Sequence, residues 1–483
     1  VFQLESLICR DSMKKMKIDK IEDVIALTSL NRPGPMENIP SYINRKIGRE
    51  KITYPHESLK DLLEETYGII IYQEQVIKIA QVLAGYSLGE ADILRRAMGK
   101  KIKEEMESQR KHFVAGALKN GITEKLSTEI FALVEKFAGY GFNKSHSAAY
   151  SMLAYRTAYM KANFPVEFMA AILSNELGNA EKVAHFIEEC ARMQIPVWGP
   201  DINASREAFT PVLQKAGTAG SIRFGLGAIK GVGDVAAANI LSERGRGGPF
   251  RSFKDFISRV DARTVNKRVL EALIKAGAFD ALGGIDRQHL LLNLDSLMRQ
   301  SAVAHKDAQA GQISLFEDLG METSAMDPKA GLDLSGPRMP QEEKLHHERE
   351  LLGFYVSGHP MADWEPYTKA LNTLSLAQLP QLEHRCPFRL CGVVAGVTKK
   401  IAKKDNRNWA IFHLVGLKET ITIHAYSEAY AQAQALLEEG RLVVATGQVV
   451  HGNGEARLSL QSLAPLSQEA PALITQANWF LDP

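Results

Sequence analysis

A chain of 483 residues is too long for one ordinary core, because folded domains usually contain about 100–200 residues. Hydrophobic residues make up 45% of the sequence and charged residues 24%, which is typical of globular protein and excludes wholesale disorder. No apolar run approaches the ~18–20 residues that cross a bilayer, so we expect no membrane partner. Because the net charge is only +2, local clusters of basic residues are more informative than the total.

The four cysteines, Cys9, Cys190, Cys386 and Cys391, are too few for a disulfide framework. The pair Cys386 and Cys391 has neither CxxC spacing nor a histidine cluster beside it, as a zinc site would. We expect four reduced structural thiols.

Residues 1–205 are predicted to form a helical module, because apolar residues recur there at three- and four-residue spacing. The clearest helical segments are 57–65, 73–84, 104–119, 124–138 and 147–162. Breaks rich in glycine and proline at 32–35, 85–87 and 139–141 predict loops between helices.

The second half of the chain changes character several times. Residues 206–300 predict short helices joined by glycine turns, 301–341 a linker poor in large apolar groups, and 342–384 a helical connector. Five β-branched or alternating runs within 385–467, with one helix between the third and fourth, predict a small OB-type barrel. We expect residues 468–483 to be a truncated C-terminal segment. The fold class is therefore multidomain α+β, helical modules followed by a β-barrel.

The densest basic patch is LRRAMGKKIK, which holds Arg95, Arg96, Lys100, Lys101 and Lys103 without an acid among them. On one continuous helix Arg96, Lys100 and Lys103 would share a face, so several cations could converge on a triphosphate or a nucleic-acid backbone. A solvated helix face is the structural alternative.

Two glycine-containing segments are also candidate anion sites. In GYGFNKSHSAAY, Ser145 or Ser147 could cap a helix whose first amides, with Lys144 and His146, would bind an anion; a plain capping loop is the alternative. In IKGVG, Lys230, Gly231 and Gly233 are typical of a helix-hairpin-helix whose amides grip a phosphate, although a simple helical turn would also need glycine.

Two further segments predict partner contacts. In the linker, Gln312, Leu315 and Phe316 of QISLF form an apolar cluster that could dock in a pocket of another protein. In the barrel, cations cluster around a DNRN turn beside an aromatic ring, which favours single-stranded nucleic acid; the residues are Lys399, Lys400, Lys403, Lys404, Arg407 and Trp409. Trp409 could equally be a core residue.

Several uninterrupted strings together resemble the alpha subunits of bacterial DNA polymerase III, the C family of DNA polymerases. They are VFQLES, RPGP, TYGIIIYQEQV, LRRAMGKK, EKFAGYGFNKSHSAAY, FPVEFMAA, DIN, GLGAIKGVG and VSGHP, and they follow the family's order over almost the whole chain. The chain opens on Val1 without an initiator methionine, so we expect a fragment that runs from the fingers to the OB domain.

The resemblance implies that residues 1–205 are fingers that bind the incoming deoxynucleoside triphosphate and the template. Arg95 and Arg96 would hold the triphosphate. Lys100, Lys101, Lys144 and His146 would support them, with Arg32 as a weaker candidate. Residues 206–300 would grip DNA, Gln312, Leu315 and Phe316 would bind the beta sliding clamp, and the barrel would lie near the single-stranded template.

The parent enzyme implied by the resemblance is a cytoplasmic, nucleoid-associated replicative DNA-directed DNA polymerase acting on primer-template DNA. It would use two Mg²⁺ ions held by palm aspartates, which we assign to no residue here because the sequence lacks Asp-x-Asp. The chain alone should be inactive. The proofreading exonuclease and the clamp-loader tau subunit would bind regions missing or truncated here. The alternatives are a non-catalytic DNA- and clamp-binding module, and an error-prone paralogue.

Overall fold

The chain folds as two compact units, Val1–Phe168 and Met169–Pro483, called unit 1 and unit 2 below. This computed structural model describes residues 1–32, 34–100, 103–138, 141–213, 220–309, 329, 331–366, 368, 372–373, 382–402, 406–417, 420–452 and 455–466. None of the helices in those ranges is long and apolar enough to span a bilayer.

The regular elements of unit 1 in its described residues are helices, as the apolar spacing predicted. Its helices are α1 (Leu7–Met16), α2 (Ile21–Leu30), α3 (Ile39–Lys46), α4 (Lys60–Leu63), α5 (Gln73–Ala84), α6 (Leu88–Lys100), α7 (Lys103–Lys119), α8 (Glu124–Ala138) and α9 (Lys144–Asn163), with the start of α10 (Pro165–Asn175).

The pair α5 and α6 forms a helical hairpin in unit 1. Gly85 ends α5 in the left-handed region, at φ 69°, where glycine lacks the steric penalty of other residues. Two residues later Ser87 and Glu90 form a reciprocal capping box that starts α6. Apolar side chains of both helices, including Ile79 and Leu94, are buried in one core. The short loop thus joins two helices that contribute to the same core.

Unit 2 begins with a helical part that carries a small sheet. Its elements are the rest of α10, α11 (Ala180–Arg192), β1 (Val197–Trp198), β2 (Thr210–Val212), β3 (Ser221–Arg223), α12 (Asp234–Gly247), α13 (Phe253–Arg259), α14 (Lys267–Lys275), α15 (Arg287–Gln309) and α16 (Gln341–Leu352). The sheet has the order β1-β3-β2, and its strands are too short for a period-2 pattern to reveal them in the sequence.

The C-terminal part of unit 2 is a closed five-stranded barrel of the OB type, which confirms the predicted fold class. Its strands are β4 (Pro387–Ile401), β5 (Asn408–Val415), β6 (Thr420–Ala425), β7 (Leu442–Gly452) and β8 (Glu455–Pro465), in the order β4-β5-β6-β8-β7. The predicted helix is α17 (Ser427–Ala433), between β6 and β7. Inward side chains such as Phe412 and Ile423 fill the barrel.

One boundary of the predicted linker is wrong. Helix α15 continues to Gln309, whereas the composition predicted loose chain from residue 301. Leu290, Leu294 and Leu297 anchor the first turns of α15 in the core. The polar residues that follow continue the same helix, because elongating a helix is much easier than starting one.

Candidate functional site

Arg95 and Arg96 lie side by side near the end of α6 and share one partner, Asp92. Arg95 donates to Oδ1 of Asp92 through Nε at 2.9 Å, and its Nη2 lies 2.8 Å from the same oxygen. Nε of Arg96 forms an ion pair with Oδ2 of Asp92 at 2.9 Å. The side chains of Arg95 and Arg96 remain 31% and 68% exposed. The arginines hold the pKa of Asp92 below its usual value, chiefly through the bond from Arg95. The sequence interpretation missed Asp92, which precedes the acid-free stretch by two residues.

The prediction of one cationic face through Arg96, Lys100 and Lys103 stays a prediction. Helix α6 is described as far as Lys100, and α7 is described from Lys103. Lys101 and Ile102, which connect them, lie outside the described residues.

The start of α9 is capped by Asn143, which corrects the prediction that Ser145 or Ser147 caps it. The side-chain oxygen of Asn143 accepts from the amide of His146 at 2.8 Å. Ser147 is instead buried and donates to the carbonyl oxygen of Ile25 at 2.8 Å. Asparagine is as good an N-cap as serine, so the residue type alone could not decide between them.

Lys144 is held in an ion pair at this helix start. Its Nζ lies 2.6 Å from Oε2 of Glu65 and 5.4 Å from the ring centre of Tyr72. Its backbone amide donates to the carboxylate of Glu74 at 3.1 Å. Burial and the nearby Glu65 carboxylate raise the pKa of the Tyr72 hydroxyl, so that hydroxyl stays neutral at physiological pH.

Arg32 and His146 are linked by a row of rings. The guanidinium of Arg32 lies 4.0 Å from the ring centre of Phe142, and Phe142 lies 5.4 Å from His146. His146 in turn lies 4.5 Å from Tyr150. The structure therefore brings the candidates Arg32, Lys144 and His146 together around Phe142 and the start of α9.

The start of α5 contacts this cluster. The backbone amide of Gln73, the first residue of α5, donates to the carbonyl of Phe142 at 3.0 Å, and Glu74 accepts from the amide of Lys144. The next helix, α6, carries the arginine pair and packs against α5 in the same core.

The hairpin residues of unit 2 lie in a turn before α12. Gly231 adopts φ 92°, a conformation that favours glycine, and an added Cβ at Gly233 would meet nothing within 4 Å. The amide of Lys230 is already used, since it donates to the carbonyl of Leu351 at 3.0 Å. In this described turn, the amides of Gly231 and Gly233 donate to no backbone carbonyl. Those two amides are the groups that could meet a phosphate.

Trp409 lies on the outer surface of the barrel, because its neighbours Ala410 and Phe412 are the inward residues of β5. Its ring lies 5.6 Å from Tyr426 and 6.3 Å from His424, with planes within 24° of parallel. The three rings lie close together and nearly parallel, and they are called the ring patch below. The sequence interpretation missed His424 and Tyr426, although their alternation with buried Ile423 and Ala425 gives both the outer face.

Cations border the ring patch. The Nζ of Lys400, paired across from Trp409, lies 5.4 Å from the Trp409 ring centre. Burial, with Arg457 and Lys400 nearby, keeps the pKa of His424 below its usual value, so its ring is neutral at pH 7. Lys399 precedes Lys400 on β4, and Arg407 is exposed just before β5.

Several predicted residues cannot be placed. Lys403 and Lys404 of the barrel, and the clamp-binding candidates Gln312, Leu315 and Phe316, lie outside the described residues. Within the part of the chain that is described, no three His, Cys, Asp or Glu side chains are grouped so as to hold a metal ion.

Comparisons with known proteins agree with this architecture. Residues 1–121 match the model of the bacterial DNA polymerase III alpha subunit finger domain, and residues 194–290 match a helix-hairpin-helix motif. The arginine pair lies in the first match and the hairpin glycines in the second.

Similarity over nearly the whole of this chain points to the same proteins. The DNA polymerase III alpha subunit of Thermus aquaticus is 41% identical over 481 residues, covering 98% of this chain and 38% of that protein. The Vibrio cholerae protein of the same name is 41% identical over 96% of this chain and 40% of its own length, and the Escherichia coli K12 protein is 42% identical over 93% and 38%. The chain thus spans about two fifths of these relatives, and it belongs to the family of bacterial DNA polymerase III alpha subunits.

Proposed function

We propose that this chain binds the triphosphate of an incoming deoxynucleotide as part of a replicative DNA-directed DNA polymerase. The observation that carries the proposal is the pair of adjacent, partly exposed guanidinium groups of Arg95 and Arg96 on α6, which share one carboxylate. Guanidinium forks match phosphate oxygens in charge and geometry. Lys100, Lys101, Lys144, His146 and Arg32 are the supporting candidates.

The chemistry explains why cations are needed here. In nucleotidyl transfer, negative charge gathers on the departing pyrophosphate, and fixed positive groups stabilise that charge. Divalent metal ions, when bound, would supply activation of the primer hydroxyl and neutralisation of the phosphate charge. We assign no residue of this sequence to the two Mg²⁺ ions, so the chain alone should not catalyse the reaction.

Two further sites are proposed to hold primer-template DNA. The open amides of Gly231 and Gly233, with Lys230, would contact a phosphate without reading sequence. The ring patch with Lys399, Lys400 and Arg407 would bind single-stranded template, because bases of any identity stack on aromatic rings while cations attract the backbone.

The partner proteins remain proposals from the sequence alone. Gln312, Leu315 and Phe316 would dock on the beta sliding clamp, which increases processivity by keeping the polymerase at high local concentration on DNA. The proofreading exonuclease and the clamp-loader tau subunit would bind other parts of the longer protein. We place that protein in the bacterial cytoplasm, on the nucleoid.

The triphosphate site is tested in a full-length polymerase that carries this sequence. Arg95→Ala with Arg96→Ala should raise the KM for deoxynucleotides by roughly 100-fold or more, since each charged hydrogen bond contributes about 1.5–3 kcal/mol. The Kd for primer-template DNA should change little. Lys111→Ala is the matched control, because Lys111 is an exposed cation of α7.

An unchanged nucleotide KM in the double variant would refute the triphosphate site. A matching loss of primer-template binding would instead indicate a general DNA contact, as the non-catalytic module predicts. For the clamp motif, Leu315→Ala with Phe316→Ala should abolish clamp binding in a pull-down and leave short, unassisted synthesis intact. Intact clamp binding in that variant would exclude these residues as the anchor.

A further inference from the structure

The carboxylate of Asp92 contacts both arginines of the proposed triphosphate site. One oxygen accepts from Arg95 and the other forms an ion pair with Arg96, and all three N–O distances are 2.8–2.9 Å. The spacing of three and four residues along α6 brings the three side chains to one face of the helix. Asp92 is itself 34% exposed, so these contacts form at the surface and not in a core.

The geometry of these contacts leaves N–H donors of both arginines unused, so both arginines can bind further acceptors. Asp92 contacts Nε of each guanidinium and one terminal nitrogen of Arg95. A guanidinium presents five N–H donors, so most of the donors of the pair remain for other acceptors. The trio keeps a net positive charge, because two cations share one anion.

An arginine side chain loses much rotamer freedom when it is fixed on a ligand. If the side chain is already held in the bound arrangement, that cost no longer weakens binding. Two adjacent cations also repel one another, and an anion between them offsets that repulsion.

We propose that Asp92 is a positioning residue, which holds Arg95 and Arg96 side by side so that both meet the same triphosphate. The inference rests on the proposed function of the two arginines and adds a third residue to it. Asp92 acts through the arginines and does not touch the nucleotide. A simple charge effect would act in the opposite direction, because removing an anion near a triphosphate would strengthen binding.

The test uses Asp92→Asn in a full-length polymerase carrying this sequence. Asparagine has the same size, but its single oxygen can accept from only one side and its amide nitrogen faces the other arginine. We expect a roughly 5- to 10-fold rise in deoxynucleotide KM, a smaller change in kcat, and primer-template Kd within about twofold of the parent. Asp92→Glu, which keeps the charge, should restore part of the loss.

Asp11→Asn is the matched control. Asp11 forms an ion pair with Lys15 one turn later on α1, at 2.7 Å, in the same unit. The same chemical change is thus made at a surface helix pair without the arginines, and it should leave KM unchanged.

A double-mutant comparison separates positioning from a general effect on the fold. In the background of Arg95→Ala with Arg96→Ala, Asp92→Asn should cause no further rise in KM, because nothing is left to position. A rise that persists in this background would overturn the proposal, as would a KM that is unchanged or lower in Asp92→Asn alone. If the arginine variant itself leaves KM unchanged, the proposed triphosphate site is refuted. If the arginine variant raises KM but Asp92→Asn does not, the site is supported and the positioning role of Asp92 is refuted.

Discussion

Removing the carboxylate of Glu348 should destabilise the helical part of unit 2 strongly. Glu348 lies in α16 with a fully buried side chain, and its Oε1 accepts from Nη2 of Arg287 at 2.8 Å. Its Oε2 accepts from the backbone amides of Val356 and Ser357 at 2.7 and 2.9 Å. One side chain thus fixes both the guanidinium and the segment that follows α16.

The size of the stability loss follows from the groups that lose a partner in Glu348→Ala. Arg287 is 3% exposed and keeps Asp280 as a carboxylate partner, whereas the two amides lose their acceptor. Breaking a buried ion pair costs about 3–5 kcal/mol, and each orphaned amide about 1–3 kcal/mol when no water replaces the acceptor. The losses overlap, so we expect the free energy of unfolding to fall by about 3–5 kcal/mol in total.

Hydrogen exchange measured by mass spectrometry on a peptide containing Val356 and Ser357 provides the local assay. A loss of about 3 kcal/mol corresponds to exchange roughly 100-fold faster, since 1.4 kcal/mol is a factor of ten. Urea unfolding gives the global value. Glu350→Ala is the matched control, because Glu350 is two residues further along α16, 53% exposed and 3.9 Å from Lys230; it should cost under about 1 kcal/mol. Equal effects of the two variants, or unchanged exchange in Glu348→Ala, would refute the reasoning.

Three further predictions test other parts of the described structure. Burial raises the pKa of Cys391 to about 12, so maleimide labelling at pH 7 followed by mass spectrometry should modify half-buried Cys386 far faster; equal rates would contradict this. Burial lowers the pKa of His424 below its usual value of 6.5 in the folded state. As pH falls below 6.5, His424 is therefore protonated in the unfolded chain before it is protonated in the folded chain, and the barrel should lose stability. His424→Gln should remove that part of the loss, measured by thermal unfolding at pH 7.5 and 5.5. Asn143→Ala should cost about 1 kcal/mol in urea unfolding, with Ser145→Ala as a control near zero.

The sequence predicted the elements well wherever periodicity was long and clear. Helix α5 spans residues 73–84 in both the prediction and the structure, and all five barrel strands overlap their predicted runs. These patterns are local, since one face of each element must be apolar to be buried. The three short strands of unit 2 were not predicted, because two or three residues cannot show a period-2 pattern. The full length of α15 was not predicted, because its last turns carry no apolar stripe.

The candidate cations could be chosen from the sequence, but their partners mostly could not. Lys144 pairs with Glu65, which lies 79 residues earlier, and the ring of Phe142 meets Arg32 across a similarly long stretch of chain. Such contacts depend on how helices pack, which no local pattern encodes. Asp92 could have been predicted as a partner from the sequence, since a carboxylate three and four residues before two arginines is a standard helix pairing.

The carboxylates that pair with these cations change the interpretation of the basic residues. A stretch without acids predicted bare cations, yet Arg95, Arg96 and Lys144 all have a carboxylate within 3 Å. At Lys144 a phosphate must therefore compete with Glu65, and the binding free energy is the difference between the two contacts. Arg95 and Arg96 keep unused donors, so they can bind a phosphate while Asp92 stays in place. For an exposed pair that difference can still favour the phosphate, because surface ion pairs contribute only about 0–1 kcal/mol. A triphosphate with several anionic oxygens can engage both guanidinium groups at once, whereas Asp92 offers each of them a single oxygen.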